Sequence, residues 1–135
     1  MPQKSSTIAL IQNKKILLLK RGDSAPWQPN KYGLVGGGVE DNESLIDAAH
    51  RECLEETGII LNKNTMFPMT ISYKNGYSKI VFFCKVSEPK VSLNFEHSSF
   101  DWFSYSECLS LYNQSLLVPR LFTVVKCLMV NGHIC

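Results

Sequence analysis

Glu52, Glu55 and Glu56 fall close together in a stretch whose periodicity predicts a helix over residues 43–57. At about 100° per residue, with Leu45 at zero, Ile46, Ala49 and Cys53 fall near 100°, 40° and 80° and form an apolar stripe. On that scale Glu52, Glu55 and Glu56 lie near 340°, 280° and 20°, so the three carboxylates share one edge beside the stripe. Like charges at this spacing destabilise a helix by about 0.2 to 0.5 kcal/mol per pair, and Arg51 offsets only part of that. A divalent cation would remove the cost. Oxygen donors without thiolate or imidazole suit a hard ion, Mg²⁺ first and Mn²⁺ second. Mg²⁺ binds through a few carboxylates plus substrate phosphates, so the expected partner is a phosphorylated compound. Gly36, Gly37 and Gly38, just before the helix, allow close backbone approach to an anion or a metal.

The charge distribution supports this reading. Of the 12 acids in the 135-residue chain, seven lie between positions 40 and 56, where Arg51 is the one base. That segment therefore carries −6 and the remainder +8, although the net charge is +2. A charge block alone is most often a solvated face. Length and a 44% hydrophobic content fit one compact domain over residues 1–135, and no apolar run approaches a membrane span. Residues 1–7 hold one lysine and no signal-like apolar region, so a cytoplasmic location is expected. The five cysteines lack a C-x-x-C pair and read as buried reduced thiols. His50, His97 and His133 read as surface or supporting groups rather than metal ligands.

Several elements must position the acidic edge. Apolar runs at 7–11 and 15–20 around Gln12-Asn13-Lys14 predict a hairpin. Residues 22–30, rich in Gly, Pro, Asp and Asn, predict a loop carrying Trp27, and 31–35 a third strand before the glycines. Asp41 or Asn42 is expected to cap the helix and Gly58 to end it. Asn75-Gly76 between runs at 66–73 and 77–86 predicts a second hairpin. A strand at 100–103 precedes Ser104 and Glu107 at capping-box spacing. A closing helix is expected over 116–130, with Pro119 in its first turn and Gly132 past its end. The whole predicts an α+β fold of the α/β/α sandwich type, a mixed central sheet between helices.

Gly37, five residues, Glu43, seven residues and Arg51-Glu52-Cys53-Leu54-Glu55-Glu56-Thr57-Gly58-Ile59 resemble the complete Nudix box. The aliphatic position after Arg-Glu holds Cys53. The resemblance extends to Lys20-Arg21, the Trp27 loop, Lys31 to Gly37 and Asp101-Trp102-Phe103; Val35 stands where many members have proline. It implies a Nudix sandwich fold and Mg²⁺-dependent hydrolysis of a nucleoside diphosphate linked to another group. By the match, Glu52, Glu55 and Glu56 hold metal, with the Gly37 carbonyl a further oxygen. Glu52 is the favoured base within the box, and Arg51 orients a glutamate, with Glu43 the candidate.

A further ligand or base in this family often comes from outside the box, and here Glu96 and Asp101 compete, the longer Glu96 slightly ahead as the base and Asp101 as a metal ligand. Trp27, Tyr32 and Tyr77 are stacking candidates for substrate and equally fit plain packing or surface. Arg21 is a phosphate candidate against a simple strand-end charge. The short chain resembles the MutT-like group, which ranks a (d)NTP, cleaved to NMP and pyrophosphate, first. Nucleotide sugars, ADP-ribose and dinucleoside polyphosphates follow. An RNA 5′ pyrophosphohydrolase and a non-catalytic nucleotide-binding module are the readings from other classes. Spacing does not separate a monomer from a homodimer.

Overall fold

The computed structural model describes residues 3–135, the side chain of Tyr73 apart, so the first two positions of the chain lie outside the described residues. The strands are β1 (Gln3–Gln12), β2 (Lys15–Arg21), β3 (Tyr32–Gly33), β4 (Val35–Gly38), β5 (Phe67–Lys74), β6 (Tyr77–Lys85) and β7 (His97–Phe103). The α-helices are α1 (Leu45–Thr57), α2 (Tyr105–Asn113) and α3 (Leu121–Val130). Seven strands with three helices make the expected α+β class. No helix among the described residues is long and apolar enough to cross a membrane.

The chain divides into two compact units, and β1 runs from one into the other. The first comprises the chain up to Leu10 with Val35–Asn94. In it β4 pairs antiparallel with β1, matching Ser6 to Gly37 and Thr7 to Gly36. The β5–β6 hairpin turns at Asn75-Gly76 with φ of 52° and 78°, a two-residue turn that suits the twist of the strands. Ile8, Ala9 and Leu10 are all fully buried, so both faces of β1 are covered there. The second unit comprises Ile11–Leu34 and Phe95–Cys135. In it β2 pairs with β3 and with β7, and Ile16, Leu17, Leu18 and Leu19 are fully buried. Fully burying each such side chain is worth about 1.5 to 3 kcal/mol.

Some expectations fail for identifiable reasons. The predicted third strand is two, because Gly36, Gly37 and Gly38 extend into β4 instead of turning; cross-strand pairing with β1 overrides the poor strand propensity of glycine. Helix α1 begins at Leu45, and its cap is Ser44, not Asp41 or Asn42. Ser44 Oγ accepts from Asp47 N at 3.1 Å, while Asn42 has a left-handed backbone (φ 66°). The closing helix starts at Leu121, not at 116. Tyr32 N–H donates to Leu116 O at 2.8 Å and Val118 N–H to Tyr32 O at 2.9 Å, which draws 116–118 out alongside β3. Gly58 ends α1 in the left-handed region (φ 76°), and Ser104 and Glu107 form the capping box of α2. The cysteines are free; Cys53, Cys84 and Cys108 are buried, but Cys127 and Cys135 are exposed.

The glycine strand lies unusually close to both neighbours, to β1 at Gly36 and to α1 at Gly37. Gly36 holds φ 150°, and a Cβ there would meet Ser6 O at 2.4 Å and Thr7 Cα at 2.5 Å. Gly36→Ala is therefore expected to cost ~2 to 3 kcal/mol through backbone strain and overlap. Gly38, where a Cβ would meet nothing within 4 Å, should tolerate alanine within about 0.5 kcal/mol. Urea denaturation of both variants checks the contrast, and equal stability would contradict the account.

Candidate active site

Helix α1 is fixed at both ends within the first unit. Ser6 Oγ donates to Leu45 O at 2.6 Å, tying the helix start to β1. Past its end, Ser92 N–H donates to Thr57 O at 2.8 Å. Along this helix the three glutamates meet different environments. Glu56 is 3% exposed and accepts from Gly36 N–H at 2.9 Å. The Glu52 side chain is 14% exposed and that of Glu55 is 53% exposed. The shared edge is thus a gradient from core to solvent. Ala48, Ala49, Cys53, Glu56 and Thr57 are the buried residues of α1, and on the helical projection Glu55 lies about 100° from Glu56.

Arg51 organises the site. Its Nε and Nη2 donate to the two oxygens of Glu43 at 2.8 and 3.0 Å. Nη1 donates to Glu52 at 2.9 Å and Glu55 at 3.2 Å, and Nη2 also to Gly38 O at 3.0 Å. Glu40 lies 3.6 Å from Nη1. A guanidinium has five N–H donors, and these five bonds account for all of them. The Arg51 hydrogen bond, followed by the Glu40 backbone N–H, holds the Glu43 carboxyl below its ordinary value of 4.5. Hydrogen bonding to Glu43 raises the Arg51 pKa well above the usual guanidinium value.

Among the described residues no group of three or more His, Cys, Asp or Glu side chains is gathered as a ready metal cage. The residues nonetheless fit a hard divalent cation. Oxygens of Glu40, Glu52 and Glu55 all lie within 3.6 Å of the same nitrogen, so they are near enough to share one cation, and here that cation is the guanidinium. A Cβ at Gly37 would lie 2.8 Å from the Glu52 carboxylate, so the absence of a side chain brings the backbone flush against this acid. Of Glu52, Glu55 and Glu56, Glu55 is the most exposed, so its side chain has the most room to turn toward a metal.

The remaining candidates are placed as follows. In the second unit, Arg21 Nε donates to Trp27 O at 2.7 Å and its guanidinium lies 5.3 Å from the centroid of the exposed Trp27 ring. Tyr32 packs edge-on against Phe103, centroids 5.3 Å apart. Gly22 N–H donates to Glu96 O at 3.1 Å, joining the Glu96 backbone to the turn after Arg21. Asp101 is exposed on β7 and accepts from Trp102 N–H at 2.8 Å. In the first unit, Tyr77 starts β6, exposed beside the hairpin turn. His50 bonds Leu61 O at 2.8 Å, a supporting contact. His97, expected as a surface or supporting group, is buried, with Nδ1 unpartnered among the described residues, and burial lowers its pKa. Sequence reasoning did not find the Gly38 carbonyl or Glu40 around Arg51; a backbone acceptor has no residue-type signal, and Glu40 sits outside the helical period.

The NUDIX domain family matches residues 1–121. The chain belongs to that family. It is a Nudix hydrolase, acting on phosphoric anhydride bonds. Nucleoside triphosphatase NudI of Escherichia fergusonii is 34% identical over 118 residues, 76% of this chain and 82% of that one. A MutT protein of Methanosarcina mazei Go1 is 27% identical with a TM-score of 0.75, covering 97% of this chain and 96% of its own. A bifunctional NMN adenylyltransferase/ADP ribose pyrophosphatase of Francisella tularensis, complexed with AMP and a Mn ion, shares the fold. Its TM-score is 0.79 at 18% identity over 97% of this chain and 42% of that one. Nudix hydrolases use divalent metal ions.

The Arg51 clamp on Glu43 has a defined pH signature. Since the folded Glu43 pKa lies below 4.5, its contribution to stability is complete above the unfolded value and is lost as pH falls through the folded one. Arg51→Lys keeps the charge but offers three donors in place of the planar fork. Carboxyl-carbon NMR titration should show Glu43 moving back toward its ordinary value in Arg51→Lys. An unmoved titration would contradict the clamp.

Proposed function

We propose that this chain is a cytoplasmic, Mg²⁺-dependent nucleoside triphosphate pyrophosphohydrolase, with Mn²⁺ as the second choice of ion, and that residues 1–135 act as one Nudix domain. The observation that carries the reading is the set of Glu52, Glu55 and Glu56 on α1 beside the glycine strand, with Arg51 among the carboxylates. The NudI relative, a nucleoside triphosphatase by name, supports the choice of substrate class.

Glu52, Glu55 and Glu56 would hold the ion with the Gly37 carbonyl, and Asp101 is the candidate ligand from outside the box. When bound, the ion neutralises charge on the phosphate oxygens and lowers the pKa of the attacking water. The chain's own groups do the rest. Glu52, or Glu96 if the base lies outside the box, accepts the proton of a water that attacks the α-phosphorus. The bond from that phosphorus to the bridging oxygen breaks, and NMP and pyrophosphate leave. Arg51 holds Glu52 and Glu55 in place through charge-assisted bonds. Arg21 is assigned to phosphate, and Trp27, Tyr32 and Tyr77 to stacking on base or sugar.

A panel of dNTPs, oxidised dNTPs, ADP-ribose, nucleotide sugars, dinucleoside polyphosphates and triphosphate RNA, with products identified by mass, tests the substrate. The expected result is NMP and pyrophosphate from a nucleoside triphosphate, abolished by EDTA and restored by Mg²⁺. Glu55→Gln and Glu56→Gln should each reduce turnover by about 10² or more in a folded protein. Retained wild-type turnover in both would overturn the assignment of these carboxylates. Faster turnover of triphosphate RNA than of free NTP would overturn the choice of substrate. Comparing Glu96→Gln with Asp101→Asn decides between the two acids, the larger loss of turnover being expected for Glu96.

A further inference from the structure

Wholly within the second unit lies a cavity of about 570 Å³ that shares no residue with the glutamate site. Lys31, Arg120 and Lys126 line it, and no acid does. None of the three makes an ion pair within 4.0 Å among the described residues. Three cations with no acid between them give the cavity a positive field that attracts a multivalent anion.

The same wall carries aromatic rings. Tyr112 and Phe122 both line the cavity, stacked with centroids 4.5 Å apart and planes 14° from parallel. Lys126 Nζ lies 5.8 Å from the Phe122 centroid. Tyr112 is 53% exposed, so a flat ring is available to a planar ligand. Cations whose N–H groups donate to phosphate oxygens, next to an exposed aromatic ring, match the two halves of a nucleotide. The volume lies in the range of small-molecule pockets, which favours a single nucleotide over a polymer or a protein surface.

We propose that this pocket is a second nucleotide site, taking a free nucleoside triphosphate or diphosphate. Lys31, Arg120 and Lys126 hold the phosphates, and the base stacks on Tyr112. The site does not depend on the hydrolytic reading, since neither a metal nor a box glutamate takes part.

The probe is α,β-methylene-ATP, whose α–β bridge resists hydrolysis, titrated into the full chain in EDTA and followed by backbone amide NMR. Saturable shifts at Lys31 and across residues 112–126 are expected, weakening as salt is raised. The double variant Arg120→Gln with Lys126→Gln, with an unchanged unfolding midpoint, should weaken binding at least tenfold while turnover of the metal-loaded enzyme stays at the wild-type level. Tyr112→Ala should weaken the nucleotide analogue and leave pyrophosphate binding unchanged. No shift at millimolar ligand, or undiminished affinity in the double variant, would overturn the site. Pyrophosphate binding as tightly as the nucleotide would overturn the role of the base. A triphosphorylated oligoribonucleotide binding tenfold tighter would overturn the single-nucleotide occupant, and loss of turnover in the double variant would overturn its separateness from the reacting site.

Discussion

Arg51 is the one positive charge in a segment with seven acids, and the arrangement of the site follows from how its guanidinium is spent. Two donors lock Glu43, two reach Glu52 and Glu55, and one binds the Gly38 carbonyl. The fork thus joins the loop before the helix, the helix itself and the end of the glycine strand. Without it the acids on this edge would repel across a partly buried surface, where charges are screened less than in open water. The pairing also holds the Glu43 carboxyl below its ordinary pKa.

Such a clamp requires backbone and helix to lie unusually close, which is the role of β4. Glycine is a poor strand former, yet pairing with β1 holds Gly36 and Gly37 extended. Side chains at these positions would strike Ser6 and Thr7 in one case and the Glu52 carboxylate in the other. The Gly36 N–H, left accessible by this geometry, holds the buried Glu56. A fold feature that looks weak by local preference therefore seats two of the three glutamates.

Features governed by a few adjacent residues were legible in the sequence. Gly58 as the helix stop, the Asn75-Gly76 turn and the Ser104/Glu107 capping box each depend on contacts within four residues. What was not legible depends on distant partners. The segment 116–118 has helical apolar content, but Tyr32 takes its backbone groups. Glu43 as the partner of Arg51 could be inferred from the family pattern, whereas the Gly38 carbonyl could not. The projection of α1 set Glu56 on the edge beside the apolar stripe, whereas the fold buries it, where the Gly36 N–H meets its carboxylate; a charged residue's usual aversion to burial hides such a position in the sequence. His97 lies in a polar stretch, yet in the fold it starts β7 opposite Arg21 of β2 and is buried.

We propose that the acidic edge of α1, held by Arg51, is where a divalent cation binds. Titrating Mn²⁺ into the ¹⁵N-labelled protein and following paramagnetic broadening tests it directly. The account predicts that amides of Gly36, Gly37, Gly38 and residues 51–56 broaden first, with the effect lost in Glu55→Gln combined with Glu56→Gln. Broadening that begins elsewhere, or that persists unchanged in the double variant, would contradict it.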